Sequence, residues 1–156
     1  MRAAMAVVFL GLAASAHAVV DPGSVVGLWL LDDGSGDVAT DSSGNGNDGA
    51  IVGATWTDGH RGRALAFDGA SHVAIPASET TDDYLDGFTY MLWVDVASVP
   101  NANSRVMERD WHNPTIQTGE SDFYGSVVTG ATNIDSGIRG GEHTPGEWAH
   151  VALTHD

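Results

Sequence analysis

The sequence contains no cysteine and no lysine. The lack of cysteine excludes disulfides, zinc–thiolate sites and thiol catalysis, so a domain of this composition must rely on core burial, bound metal or both. Arginine supplies all six basic residues against 21 acidic ones, which gives a formal net charge of −15. Such a charge repels nucleic acid and anionic membranes, and we expect neither as a partner.

The first 18 residues have the organisation of a secretory signal peptide. Arg2 gives a positive n-region, residues 6–14 form an apolar stretch too short to span a bilayer, and Ala16-His17-Ala18 fits the small-x-small cleavage rule. Removal of residues 1–18 leaves 156 − 18 = 138 residues with a charge of −16, because Arg2 is lost. We therefore predict a secreted, extracellular or cell-surface protein without membrane insertion, with a short leader over 19–24 and one domain over 25–156.

Sustained helical periodicity is missing from the chain, and 20 glycines separate short apolar runs. This pattern predicts an all-β sandwich or barrel. We expect the continuous apolar run 25–31 to be a strand covered on both faces. The other predicted strands are 50–56, 64–67, 72–75, 88–96, 105–109, 122–129 and 148–154, and a polar loop with room for one helical turn covers 77–86.

The clearest alternating strand is 88–96. Its period of two places Phe88, Tyr90, Leu92, Val94 and Val96 on one face, and Thr89, Met91, Trp93 and Asp95 on the other. Because Trp29, Trp93 and Trp148 lie within predicted strands, we expect these three side chains to be in the core.

The segment 41–49, Asp-Ser-Ser-Gly-Asn-Gly-Asn-Asp-Gly, concentrates carboxylates, amides and glycines. Asp41, Ser43, Asn45 and Gly46 have the spacing of the first half of a calcium loop, in which alternate side chains offer oxygen ligands. Val52 stands where an EF-hand would place its bidentate glutamate, which excludes an EF-hand. Asn45-Gly46 is equally a strong hairpin-turn signal, and on these residues a metal site and a turn both remain open.

Catalytic signatures are absent from the sequence. Neither Glu-x-Asp-x-x-Glu nor Gly-x-Ser-x-Gly occurs, so we predict that the protein is not an enzyme. The carboxylate and Ser/His combinations weighed as candidates are Glu142 with Glu147, Glu108 with Asp110, and Ser121 or Ser126 with His143 or His150. The histidines are scattered singly and do not indicate a transition-metal site.

A sugar-binding loop is predicted around Trp111. A flat aromatic ring packs against the apolar face of a pyranose while polar neighbours bond its hydroxyl groups. Trp111 has such neighbours in Asp110 and Asn113, and Tyr124 lies in a nearby polar segment. We therefore predict these four residues as the ligand-binding set, with packing of Trp111 on the sheet as the alternative.

Five segments in order, 26–36, 39–49, 59–69, 88–94 and 148–156, resemble the concanavalin A-like, laminin G-like (LamG-like) jelly-roll domain of bacterial secreted proteins. The likeness covers about 25–156. It implies a jelly-roll sandwich of two antiparallel sheets, with the strands that follow 148–156 in relatives missing here. The domain is therefore expected to be incomplete at its C-terminus.

The resemblance also implies one structural calcium ion. Its ligands would be Asp33, Asp41 and Asn45, with Gly46 and Asn47 as possible backbone donors and further oxygens from near the domain's end. Asp33 is one methylene shorter than the glutamate often found there and reaches less far. The implied function is a non-catalytic secreted module that binds carbohydrate or mediates adhesion. The alternatives are a protein–protein interaction or structural domain of a larger surface protein, and a glycoside hydrolase fragment.

Overall fold

The computed structural model describes residues 20–82, 87–98, 104–109, 114–127 and 138–156. Within these ranges the chain is mostly β-structure with antiparallel pairing, which confirms the predicted all-β class. The strands are β1 (Val38–Ala39), β2 (Gly49–Val52), β3 (Thr55–Asp58), β4 (Arg63–Ala66), β5 (His72–Ala74), β6 (Phe88–Asp95), β7 (Ser104–Glu108), β8 (Thr115–Thr118), β9 (Asp122–Ser126), β10 (Ile138–Glu142) and β11 (Trp148–His155). A 3₁₀ turn, Pro22–Ser24, and one helical turn, α1 (Glu79–Asp82), complete the described elements, and none of the described helices could span a membrane.

The described strands form four antiparallel sheets. β2 lies between β1 and β5; β10, β9, β8 and β7 follow one another in a second sheet; β6 pairs with β11; and β3 pairs with β4. Closure of these sheets into one jelly-roll sandwich stays a prediction.

β6 and β11 pair along their whole lengths, from Phe88 opposite His155 to Asp95 opposite Trp148. Directly opposed residues share a face of the ladder. The inner face therefore carries the predicted apolar set of β6 together with Leu153, and the outer face carries Met91 and Trp93. The predicted alternation of this strand is confirmed.

The inner face of β11 packs against the four-stranded sheet at Gly125 of β9. A Cβ atom on Gly125 would lie 2.8 Å from Leu153 Cδ1, so only glycine permits this approach. Ile116, Phe123 and Leu153 are buried around the contact. β8 is buried at each of its four positions, and it is hydrogen-bonded on both edges, by β7 and by β9.

The predicted strand 25–31 is wrong. The structure has only one isolated bridge there, between Trp29 and Asp41, and Val26, Leu28 and Leu30 are exposed. A strand needs successive backbone partners, whereas the N–H of Leu28 is taken by a side chain, the carboxylate of Asp41. Leu31 also has a positive φ of 53°, which is incompatible with extended backbone.

Other differences concern strand bounds. The predicted strand 50–56 is two strands, β2 and β3, because the chain turns at Gly53, where φ is +77°. β1, β8 and β10 were not predicted, since they are short, polar or glycine-rich. The helical turn expected within 77–86 is present as α1.

Candidate functional site

The carboxylate of Asp41 is buried and fully engaged in hydrogen bonds. Its Oδ1 accepts from the backbone N–H groups of Leu28 and Ser43, both at 2.9 Å. Its Oδ2 accepts from the Ser43 hydroxyl at 2.8 Å and from the Asn47 N–H at 2.9 Å. A carboxylate has about four acceptor sites, so these donors use its whole capacity.

The same contacts set the proton affinity of Asp41. Burial raises the pKa of this carboxyl, but the hydrogen bonds from Leu28, Ser43 and Asn47 outweigh burial and lower the pKa from 3.8 to about 2. Hydrogen bonds to the charged form favour that form. Asp41 is therefore an anion held by protein donors.

Asn47 extends this network to two further segments. Its Nδ2 donates to the carbonyl oxygen of Val26 at 2.9 Å and to Thr80 Oγ1 at 3.0 Å, while its Oδ1 accepts from the Ser78 hydroxyl at 2.7 Å. Its own carbonyl oxygen accepts the indole N–H of Trp29 at 2.8 Å. The loop is thereby fixed to the N-terminal segment and to the start of α1.

The remaining predicted calcium ligands do not complete an open site. Asn45 Nδ2 donates to the carbonyl oxygens of Val25 and Val26, at 2.9 and 3.0 Å. Asp33 Oδ1 accepts from the Thr40 hydroxyl at 3.0 Å. Across the described ranges, no three His, Cys, Asp or Glu side chains group in a way that could hold a metal.

In the structure, protein donors occupy both oxygens of the Asp41 carboxylate. A metal at Asp41 would have to replace donors that the structure already shows, and calcium binding stays a prediction. The hairpin interpretation of the same loop agrees with the pairing, because β1 and β2 are antiparallel neighbours on either side of it. Gly46, at φ +75°, lies within this connection.

Three of the four predicted sugar-binding residues, Trp111, Asp110 and Asn113, lie outside the described residues. The fourth, Tyr124, is on β9 and half-buried. The Arg139 guanidinium carbon lies 5.8 Å from the centroid of the Tyr124 ring, and Arg139 also pairs with Asp122 at 2.8 Å. These contacts orient Tyr124 within the sheet.

The candidate catalytic residues have structural contacts of their own. Glu108 pairs with Arg105 at 2.6 Å, and Asp110 lies outside the described ranges. His143 is buried with its Nε2 3.3 Å from the carbonyl oxygen of Gly119, and its backbone N–H donates to the carbonyl oxygen of Ser121. Nothing in these contacts suggests a nucleophile–base pair, and the prediction that the protein is not an enzyme stays a prediction.

The expected core position of Trp93 is wrong, because its side chain is 48% exposed on the outer face of β6. Met91, two residues earlier on that face, is 57% exposed. The physical reason is the period of the strand: once Leu92 and Val94 face inward, Trp93 must face outward. Trp29 and Trp148 are half-buried rather than fully buried.

Trp93 belongs to a cluster of aromatic rings. The His60 ring lies parallel to the Trp93 indole, with centroids 3.9 Å apart and an interplanar angle of 16°. His150, directly opposite Trp93 in the ladder, lies 5.1 Å away at 46°, and Trp148 lies 6.2 Å from His60. We call Trp93, Trp148, His150 and the overlying His60 the aromatic platform. Alternation within β6 could have indicated Trp93, whereas His60 arrives from a distant hairpin that no local pattern connects to it.

The described residues also enclose a small cavity away from this surface. This cavity lies between β9, β10 and β11, is bordered by Ser126, Leu153 and His155, and has a volume of about 100 Å³. Ligand pockets usually measure about 300–1,000 Å³. This cavity is therefore too small for an oligosaccharide.

The chain was also compared with known proteins. No protein-family model, curated protein or solved structure matches it. The likeness to LamG-like domains therefore rests on the sequence motifs alone.

Proposed function

We propose that the protein is a non-catalytic, exported binding module that takes neutral carbohydrate on the aromatic platform. The observation that carries the proposal is the exposure of Trp93 on the outer face of β6, surrounded by further rings. A tryptophan in a strand is usually buried, so an indole that is half-exposed to solvent is a candidate contact for a ligand.

The chemistry of the platform suits a sugar. An indole offers a flat apolar surface to the C–H face of a pyranose, and imidazole nitrogens beside it can donate or accept hydrogen bonds. His150 brings such nitrogens next to Trp93. Thr89 and Thr154, whose hydroxyl groups lie 3.1 Å apart across the same ladder, add polar groups further along the face.

The charge of the chain limits the class of glycan. With 21 acidic and six basic residues, the protein repels uronate- or sulfate-rich polysaccharides at long range. Neutral oligosaccharides carry no such penalty. We therefore propose neutral glycans, rather than acidic ones, as the ligand class.

A protein partner is the second candidate, and Met91 favours it. Met91 and Trp93 are both exposed on the outer face of β6, and both residue types are enriched at protein interfaces. In this case the module would serve as an interaction domain of a larger surface protein.

A glycan array probed with the wild-type chain, Trp93→Ala and Phe67→Ala tests the proposal. Phe67 is the matched control because it is 53% exposed but belongs to no ring contact of the platform. We expect neutral glycans to bind the wild type and Phe67→Ala but not Trp93→Ala, with circular dichroism confirming that all three are folded. Wild-type protein that binds no glycan would refute the carbohydrate function, and a folded Trp93→Ala that binds normally would refute the platform.

A further inference from the structure

His60 occupies the position that a stacked ligand would need on Trp93. Its ring is nearly parallel to the indole at 3.9 Å, which is a single van der Waals layer. A sugar ring between them would require roughly twice that separation, since each contact needs about 3.5–4 Å. The His150 ring is tilted by 46° to the indole, with the two ring centroids 5.1 Å apart, so it does not form a second parallel stack.

We propose that His60 is a cap on the aromatic platform, which must leave Trp93 before a ligand can stack there. This inference rests on the proposed function and adds its regulation. The platform then exists in a closed form, with imidazole on indole, and an open form, with the indole face free.

The position of His60 in the chain allows its side chain to move. It lies in the connection between β3 and β4, residues 59–62, and both His60 and Arg61 are exposed. The connection is closed by one backbone hydrogen bond, from Gly59 N–H to the carbonyl oxygen of Gly62 at 3.0 Å. Side-chain rotation of an exposed residue takes picoseconds to nanoseconds, so His60 can swing away without unfolding the hairpin.

The stacking energy between His60 and Trp93 is small enough for the pair to separate, yet large enough to change the measured affinity for a ligand. An aromatic pair favours the closed form by a factor of about two to ten, and the apparent dissociation constant rises in proportion to the loss of open form. Removing the ring should therefore tighten ligand binding about threefold to tenfold.

Two measurements test the cap, with Arg61→Ala as the control because Arg61 shares the exposed turn and lies against none of the aromatic rings in the described part of the chain. The first is titration of the neutral glycan that gives the strongest array signal with wild-type protein. We expect His60→Ala to lower its dissociation constant about threefold to tenfold and Arg61→Ala to leave it unchanged. Equal or weaker binding by His60→Ala would overturn the cap, and weaker binding would make His60 part of the binding surface.

The second measurement needs no ligand. Acrylamide quenching of tryptophan fluorescence should increase in His60→Ala relative to Arg61→Ala, and the increase should vanish when Trp93 is replaced by phenylalanine in the same background. Unchanged quenching in His60→Ala would overturn the cap even if glycans bind. If quenching increases in His60→Ala but the wild-type protein binds no glycan, the result would support His60 as a cover over Trp93 and would refute the proposed carbohydrate function.

Discussion

The carboxylate of Asp41 accepts the backbone N–H of Leu28 at 2.9 Å and so joins the β1–β2 loop to a segment 13 residues earlier. The same carboxylate accepts three further hydrogen bonds within its own loop. One buried side chain therefore replaces the ladder that 25–31 was predicted to form.

Asp41→Asn is expected to destabilise the fold. An amide keeps one acceptor oxygen but turns an NH₂ group toward donors, so at least one buried N–H or O–H loses its partner, at a cost of about 1–3 kcal/mol. Asp32→Asn is the control, since Asp32 is exposed and its replacement removes the same charge. Urea denaturation should show a lower free energy of unfolding for Asp41→Asn only, and equal values for both variants would mean that the hydrogen bonds of Asp41 do not stabilise the fold.

The stability that Asp41 provides should disappear in acid. Its pKa is lowered from 3.8 to about 2 in the folded chain, so the contribution is complete above about pH 4 and is lost as the pH falls through about 2. The loss is on the order of 2 kcal/mol. The difference in unfolding free energy between wild type and Asp41→Asn should therefore shrink between pH 5 and pH 2, and a difference that does not change with pH would argue against this assignment.

Gly125→Ala should weaken the packing of β9 against β11. The new Cβ would meet Leu153 Cδ1 at 2.8 Å, and overpacking of this kind costs about 1–3 kcal/mol. Gly140→Ala in the neighbouring strand is the control, because a Cβ there meets nothing within 4 Å. Thermal melts should separate the two variants, and a Gly125→Ala protein as stable as Gly140→Ala would mean that these sheets do not pack this closely.

Calcium is expected to have little effect on the melting temperature, because protein donors already saturate Asp41 and engage Asn47. Differential scanning calorimetry in calcium and in chelator measures this directly. A rise of several degrees in calcium, abolished in Asp41→Asn, would show that the loop rearranges around a cation as the resemblance to LamG-like domains implies.

Sequence patterns correctly predicted the parts of the fold that depend on neighbouring residues in the chain. The alternation of β6 and the turn at α1 follow from side-chain period and polarity, and both are present. β8 was not predicted, because Thr115, Gln117 and Thr118 suggest an exposed loop. They are buried only because neighbouring parts of the fold cover them, and sequence polarity contains no signal for that.

In the candidate site too, the sequence indicated local features but not the contacts between distant segments. The alternation of 88–96 placed Trp93 beside Met91 on the face opposite Leu92 and Val94, while the general tendency of tryptophan to be buried suggested the core. In the structure the face of Met91 and Trp93 is the exposed one. The hydrogen bond from Leu28 to Asp41 and the stacking of His60 on Trp93 join segments far apart in the chain. Such contacts depend on the finished fold, so the calcium-like spacing of 41–49 could not reveal that its carboxylate would be saturated.

In the proposed function, Trp93 is the contact residue for a neutral glycan. Isothermal titration of the strongest array glycan into wild type, Trp93→Ala and Phe67→Ala tests it most directly. Losing the indole removes roughly 2 kcal/mol of buried apolar contact, so the dissociation constant should rise at least about tenfold for Trp93→Ala and stay unchanged for Phe67→Ala. Equal affinity of a folded Trp93→Ala and the wild type would contradict the account.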